Sequence, residues 1–207
     1  MSTLAIHNGR VIDPALGWDG IADVVIVDGR ITRVGPNEGD MVIEADRIDA
    51  SGLIVAPGFV DLQTHLREPG FEHEETIATG TRAAARGGFT TVCAMPGTVP
   101  PLDSRAAVES VLREAEASAL VRVLPIGCIT AGRKGELLAP AGELAGAGVV
   151  ALTDVQQPRD TADVAQLLVK EPELSTGQGQ DNRVSGCLLD ELCIVVPAGL
   201  GPVTSSN

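Results

Sequence analysis

The sequence is short of positive charge, with 15 Lys and Arg against 28 Asp and Glu, for a formal net charge of -13. A surface of that sign repels a phosphate backbone or an anionic bilayer at long range, which argues against nucleic acid and membrane as partners. The acidic excess itself reads as ordinary solubility. Long apolar runs are missing too. No stretch of eighteen or more apolar residues could span a bilayer, and the opening MSTLAIHNGR lacks the basic-then-apolar pattern of a secretion signal, so the chain is read as cytoplasmic. Cys93, Cys128, Cys187 and Cys193 fall at no zinc-finger or CxxC spacing and are expected to be buried or free thiols. Histidine is scarce as well: His7, His65 and His73 are the whole supply.

What is present suits a globular chain able to bury a core: 207 residues, 44% hydrophobic and 21% charged. Residues 1–57 read as short β-strands, with 22–27 and 30–34 flanking an Asp28-Gly29 turn and further runs at 41–43 and 53–56, which predicts a small all-β, sandwich-like module. From Gly58 the pattern becomes strand, loop, helix. A strand at 59–62 leads to a helix over 74–86, stopped by Gly87-Gly88. A strand at 90–95 precedes a helix opened by Ser104, with Val108, Val111, Leu112 and Ala115 on one face. Strands at 121–126 and 149–152 flank a short helix at 143–147, and a helix is credible at 162–170. This α/β alternation over 58–170 implies a parallel sheet, open or closed into a barrel; four strands make half of a (β/α) barrel. The remaining 171–207 has no such rhythm and is expected to be irregular.

Chemistry concentrates where strands end. The segment APGFVDLQTHLREPGFEHEE places Asp61, Gln63, His65 and Arg67 at alternate positions around the end of the first barrel strand. In a βα barrel that end carries the active site. A lone histidine or aspartate is more often structural than a ligand, and Arg67 could equally make a surface ion pair with Glu68 or Glu72.

Three segments together carry a resemblance. DLQTHLREPG, GGFTTVCAMPGTVPPLDS over 87–104, and VRVLPIGCITAGRKGELLAPAGELAGAGVVALTDVQQP over 121–158 resemble the matching stretches of dihydroorotases, metal-dependent amidohydrolases built on a TIM-type barrel. The likeness runs from about Leu4 to Val169. It implies a zinc cofactor and reversible hydrolysis of dihydroorotate to N-carbamoyl-L-aspartate, a step of pyrimidine synthesis. By the resemblance His65 is a zinc ligand and Arg67 holds a substrate carboxylate, as a planar guanidinium fork does well. Asp154 matches an aspartate that bridges two zinc ions.

The departures are equally specific. Gln63 stands where the family has its first histidine ligand, and a neutral amide oxygen is a poor zinc donor. Gly97 replaces a substrate-contacting asparagine. Neither His7 nor His73 lies in a motif that would supply the later histidines. No complete catalytic set is present, so the chain is expected to be inactive as a dihydroorotase. Two accounts compete. In one, the downstream part of the gene is lost and the tail is read out of frame. In the other, the chain is a non-catalytic subunit, either a homo-oligomer or a partner of aspartate carbamoyltransferase. Hydantoinase and allantoinase chemistry is the nearest catalytic alternative, and the REPG run after His65 argues for dihydroorotase.

Overall fold

The computed structural model describes residues 2–36, 45–154 and 192–195. They fall into two compact units, divided between Phe59 and Val60, with 192–195 belonging to the first. The expected strand at 41–43 and helix at 162–170 lie outside the described residues.

The first unit is built on β1 (Thr3–Asp13), which pairs antiparallel with β2 (Trp18–Val27). The β2 strand turns through Asp28 and Gly29 into β3 (Arg30–Gly35). Both turn residues have positive φ, 49° and 78°, as a tight hairpin with right-handed strand twist requires. Two short strands, β4 (Asp46–Asp49) and β5 (Ile54–Pro57), run parallel to β1. One more strand comes from the segment that the sequence leaves without a pattern: Leu192–Val195, called β10, pairs antiparallel with β5. Its Leu-Cys-Ile-Val run suits a pleated ladder.

All six strands join one mixed sheet. The sandwich-like expectation for 1–57 is therefore corrected to a single sheet among the described residues, because β4 and β5 both find their partners on the long β1. Alternation places Ala22, Val24, Ala50, Leu53 and Val55 in its core, while Ile21 is exposed. The length of β1 is the surprise. The strand passes through Asn8-Gly9 with a register irregularity between Ile6 and Gly9, Asn8 taking φ 62°.

The second unit follows the strand–helix rhythm: β6 (Phe59–Thr64), α1 (Ile77–Arg86), β7 (Phe89–Ala94), α2 (Arg105–Ser118), β8 (Arg122–Gly127), α3 (Ala141–Ala147) and β9 (Ala151–Leu152). The sheet order is β6-β7-β8-β9, and β7–β8 and β8–β9 are parallel. The sheet carries an apolar cluster on each face. Val92, Ala94 and Val123 pack with Ile77, Val108, Val111 and Leu144 of the helices, whereas Cys93, Met95 and Ile126 make a second cluster on alternate positions.

Helix α1 starts later than the expected Glu74. Thr76 caps it: its hydroxyl accepts from Thr79 N at 3.1 Å, and Thr79 Oγ1 accepts from Thr76 N at 3.1 Å, a reciprocal box that sets the first turn. Glu74 thereby stays in the loop, while Glu75 Oε1 joins the cap, accepting from Thr76 N at 3.3 Å and from the Thr79 hydroxyl. Helix α2 begins at the foreseen Ser104, and α3 ends at Gly148 with φ 107°.

Candidate functional site

The carboxyl ends of β6, β7, β8 and β9 carry His65, Met95, Cys128 and Asp154. Backbone hydrogen bonds tie neighbouring ends together, with Met95 N donating to Thr64 O at 2.9 Å and Thr153 N to Gly127 O at 2.9 Å. The edge of the sheet is thus rigid, and the loops above it carry the chemistry.

The loop after β6 is tightly built. Leu66 is buried in the helix-facing core, so the chain is pinned between His65 and Arg67. Arg67 takes φ 62°, left-handed and uncommon for a long side chain. Its carbonyl accepts from Phe71 N at 2.9 Å and its Nε lies 3.1 Å from Glu74 Oε2, so its ion-pair partner is neither Glu68 nor Glu72. Both of those carboxylates have local duties. Glu68 Oε2 accepts from Ile77 N at 2.8 Å, at the start of α1, and Glu72 Oε1 accepts from Gly70 N at 2.8 Å. That backbone bond is the largest influence holding the Glu72 carboxyl below its ordinary range. Gly70 presses on the β7 loop: a Cβ there would stand 2.6 Å from Val99 Cβ and 2.8 Å from Val99 O, at a φ of 104°.

Gln63 is exposed on β6, and its own N–H donates to Asp61 Oδ1 at 2.9 Å. Gly97 sits half-buried in the β7 loop. His65 is half-buried; burial, then the positive charges of Arg67 and Arg133, lower its pKa from the ordinary value of 6.5. The charges of Arg67 and Arg133 thus both act on His65, and the sequence reading missed Arg133. Arg133 closes the single-turn helix Ala131–Arg133 after β8 and, like Arg67, is left-handed, at φ 58°. The signal available in the sequence was the glycine-flanked run Gly132-Arg133-Lys134-Gly135 just past a strand.

Asp154 is engaged by the β8 loop. Ile129 N donates to its Oδ1 at 3.0 Å, Thr130 N donates to Oδ2 at 3.0 Å, and the Thr130 hydroxyl is bonded to Oδ2 as well. Cys128, beside it, is no nucleophile: burial first, then Asp154 and Asp103, push its thiol up to about 12.

Residues 52–164 match the family model described as dihydro-orotase-like. The chain belongs to this family. It is 54% identical over 151 residues to a dihydroorotase of Solibacter usitatus, a match covering 73% of the chain and 35% of that relative. The chain thus spans about a third of the length of the curated relatives it matches. Among solved structures, D-hydantoinase from Bacillus sp. AR9 shares 28% identity with a TM-score of 0.63, covering 83% of this chain and 38% of that one. L-hydantoinase from Arthrobacter aurescens shares the fold at a TM-score of 0.62 and 24% identity, over 73% of this chain and 32% of that one. These likenesses place the second unit in the amidohydrolase fold.

The family raises the question of zinc. Among the described residues no three His, Cys, Asp or Glu side chains gather as a metal-binding group. Gln63 offers only an amide where an imidazole is needed, and three of the roughly four lone-pair sites of Asp154 are spent on the loop. The described donor set does not fit a zinc pair.

Proposed function

We propose that this chain carries the carboxylate-reading part of a cyclic-amide hydrolase site of the dihydroorotase type, and that by itself it has negligible turnover of dihydroorotate. The observation that carries this reading is Arg67. A left-handed arginine costs backbone energy that persists only where surrounding contacts over-determine it, and such outliers cluster at ligand sites. With Nε turned to Glu74, the terminal nitrogens of the guanidinium remain to grip a substrate carboxylate in two charged hydrogen bonds. Arg133 adds positive potential beside His65, against a chain of net charge -13.

The substrate class is a small ring amide bearing a carboxylate, dihydroorotate or its opened form N-carbamoyl-L-aspartate. Gly97 contributes no side-chain contact to it, and zinc, the metal of the family chemistry, finds no complete donor set in Gln63, His65 and Asp154. A cyclic amide such as a hydantoin lacks that carboxylate, which makes hydantoinase chemistry the weaker reading. A non-catalytic assembly subunit, with aspartate carbamoyltransferase as the candidate partner, is a second reading. It is supported by the exposed Leu62 on β6 and Leu152 on β9, the two outer strands of the four-stranded sheet.

The test is to titrate N-carbamoyl-L-aspartate into the purified chain by calorimetry. Arg67→Gln is expected to weaken binding about tenfold or more, because a charge-assisted bond contributes roughly 1.5–3 kcal/mol, with only partial recovery in Arg67→Lys. Equal binding by Arg67→Gln would sink the carboxylate reading. Zinc-dependent opening of dihydroorotate by the unmodified chain would sink the inactivity.

A further inference from the structure

We propose that Asp154 is a latch for the β8 loop in this chain, held by Thr130, and that it does not act as a bridging metal ligand. The argument starts from counting lone pairs. An ionised carboxylate offers about two acceptor sites on each oxygen. Oδ1 uses one, on Ile129 N at 3.0 Å. Oδ2 uses two, on the Thr130 amide at 3.0 Å and on the Thr130 hydroxyl.

The direction of that hydroxyl bond is settled by its other partner. Gly135 N donates to Thr130 Oγ1 at 3.0 Å, and a carboxylate has no proton to give, so the single hydroxyl proton goes to Asp154. A carboxylate that bridges two cations needs an outward lone pair on each oxygen. Oδ2 has none left while the loop is closed.

The loop is closed by more than Asp154. Thr130 is fully buried; Ala131 N donates to Leu137 O at 2.8 Å, Arg133 N to Thr130 O at 3.0 Å, and Gly132 N to Asp103 Oδ2 at 2.7 Å. Thr130 also bridges to Leu138. Asp154 is therefore the point at which the end of β9 grips a compact loop, 24 and 25 residues back in the chain, that presents Arg133. To meet a pair of metal ions it would have to release Thr130, whose buried hydroxyl and amide would then lose their acceptor.

Amide hydrogen exchange on the full chain, without substrate, tests this separately from the carboxylate reading, so either can fail alone. Thr130→Val removes the hydroxyl at nearly constant volume and is expected to speed exchange at Ile129, Thr130 and Gly135 about tenfold or more, while Thr130→Ser restores the wild-type pattern. Asp154→Asn is expected to act like Thr130→Val; if it fails to fold, the Val and Ser pair decides. In a parallel titration with zinc alone, Asp154→Asn is expected to change metal uptake less than twofold. Unchanged exchange in Thr130→Val would overturn the latch. So would one zinc pair per chain that Asp154→Asn abolishes while the loop amides stay protected.

Discussion

His7 and His65 are the same side chain in the two units, put to different uses. In the first unit several polar side chains pair across the strands. His7 Nδ1 lies 2.8 Å from Asp23 Oδ2, Asn8 Nδ2 donates to Asp49 Oδ1 at 3.2 Å, and Arg10 meets Asp19 through two bonds of 2.7 Å. In the second unit His65 feels the charge of two arginines, and both of those arginines are in left-handed backbone. Cross-strand pairing in an open sheet uses charge up locally; strand-end loops over a parallel sheet collect unlike groups and hold them in place. The carboxylate-reading chemistry proposed above belongs to the loops at the ends of β6 and β8.

One glycine from each unit sharpens the comparison most. Gly70→Ala is expected to cost about 3 kcal/mol or more, since a β-carbon there meets the Val99 backbone at a φ that disfavours any side chain. Gly9→Ala meets only side chains, Val55 Cγ2 at 2.6 Å and Ala50 Cβ at 3.1 Å, at an ordinary φ, and is expected to cost about 1–3 kcal/mol. Urea unfolding of both variants checks the order. If Gly9→Ala proves the worse, the strand-end loops are not the more constrained part.

A smaller effect belongs to the caps of the two helices. Thr76→Ala removes the half of the box in which the Thr76 hydroxyl accepts from Thr79 N at 3.1 Å and is expected to cost about 1 kcal/mol, more than Ser104→Ala, whose hydroxyl accepts from Ala107 N at a longer 3.4 Å. Thermal melts of the pair would rank them.

The mildest change concerns charge alone. Because His65 titrates below 6.5 in the fold, the unfolded chain takes up the proton first as pH falls. The neutral imidazole thus contributes stability that is present above about 6.5 and lost as pH drops through the folded value. Arg133→Gln is expected to raise the His65 pKa toward 6.5, read from the imidazole C–H signals in a proton NMR titration. No movement would place Arg133 outside the site.

Local signals were legible where local physics decides. The Asp28-Gly29 hairpin, the Ser104 cap, the Gly87-Gly88 stop and the alternation that makes β7 and β8 buried strands depend on neighbours a few residues apart. His65 and Arg67 were expected from the family resemblance of DLQTHLREPG, and their part in the site is a proposal. The start of α1 was missed because Thr76 and Thr79 form the box with threonines on both sides, in place of the usual acidic partner.

By itself the sequence determined the strand–helix order of 59–152, the hairpin and the excess of acid, all properties of residue type and short spacing, whereas the Gln at an expected imidazole position came from the family resemblance. Only the tertiary structure decided that β1 runs through Asn8-Gly9 and that Leu192–Val195 pairs with β5. It alone brought the charge of Arg133 to act on His65 and spent Asp154 on Thr130. Those facts depend on groups brought together from 13 to well over 100 positions apart, and pattern along the chain carries no record of such pairings.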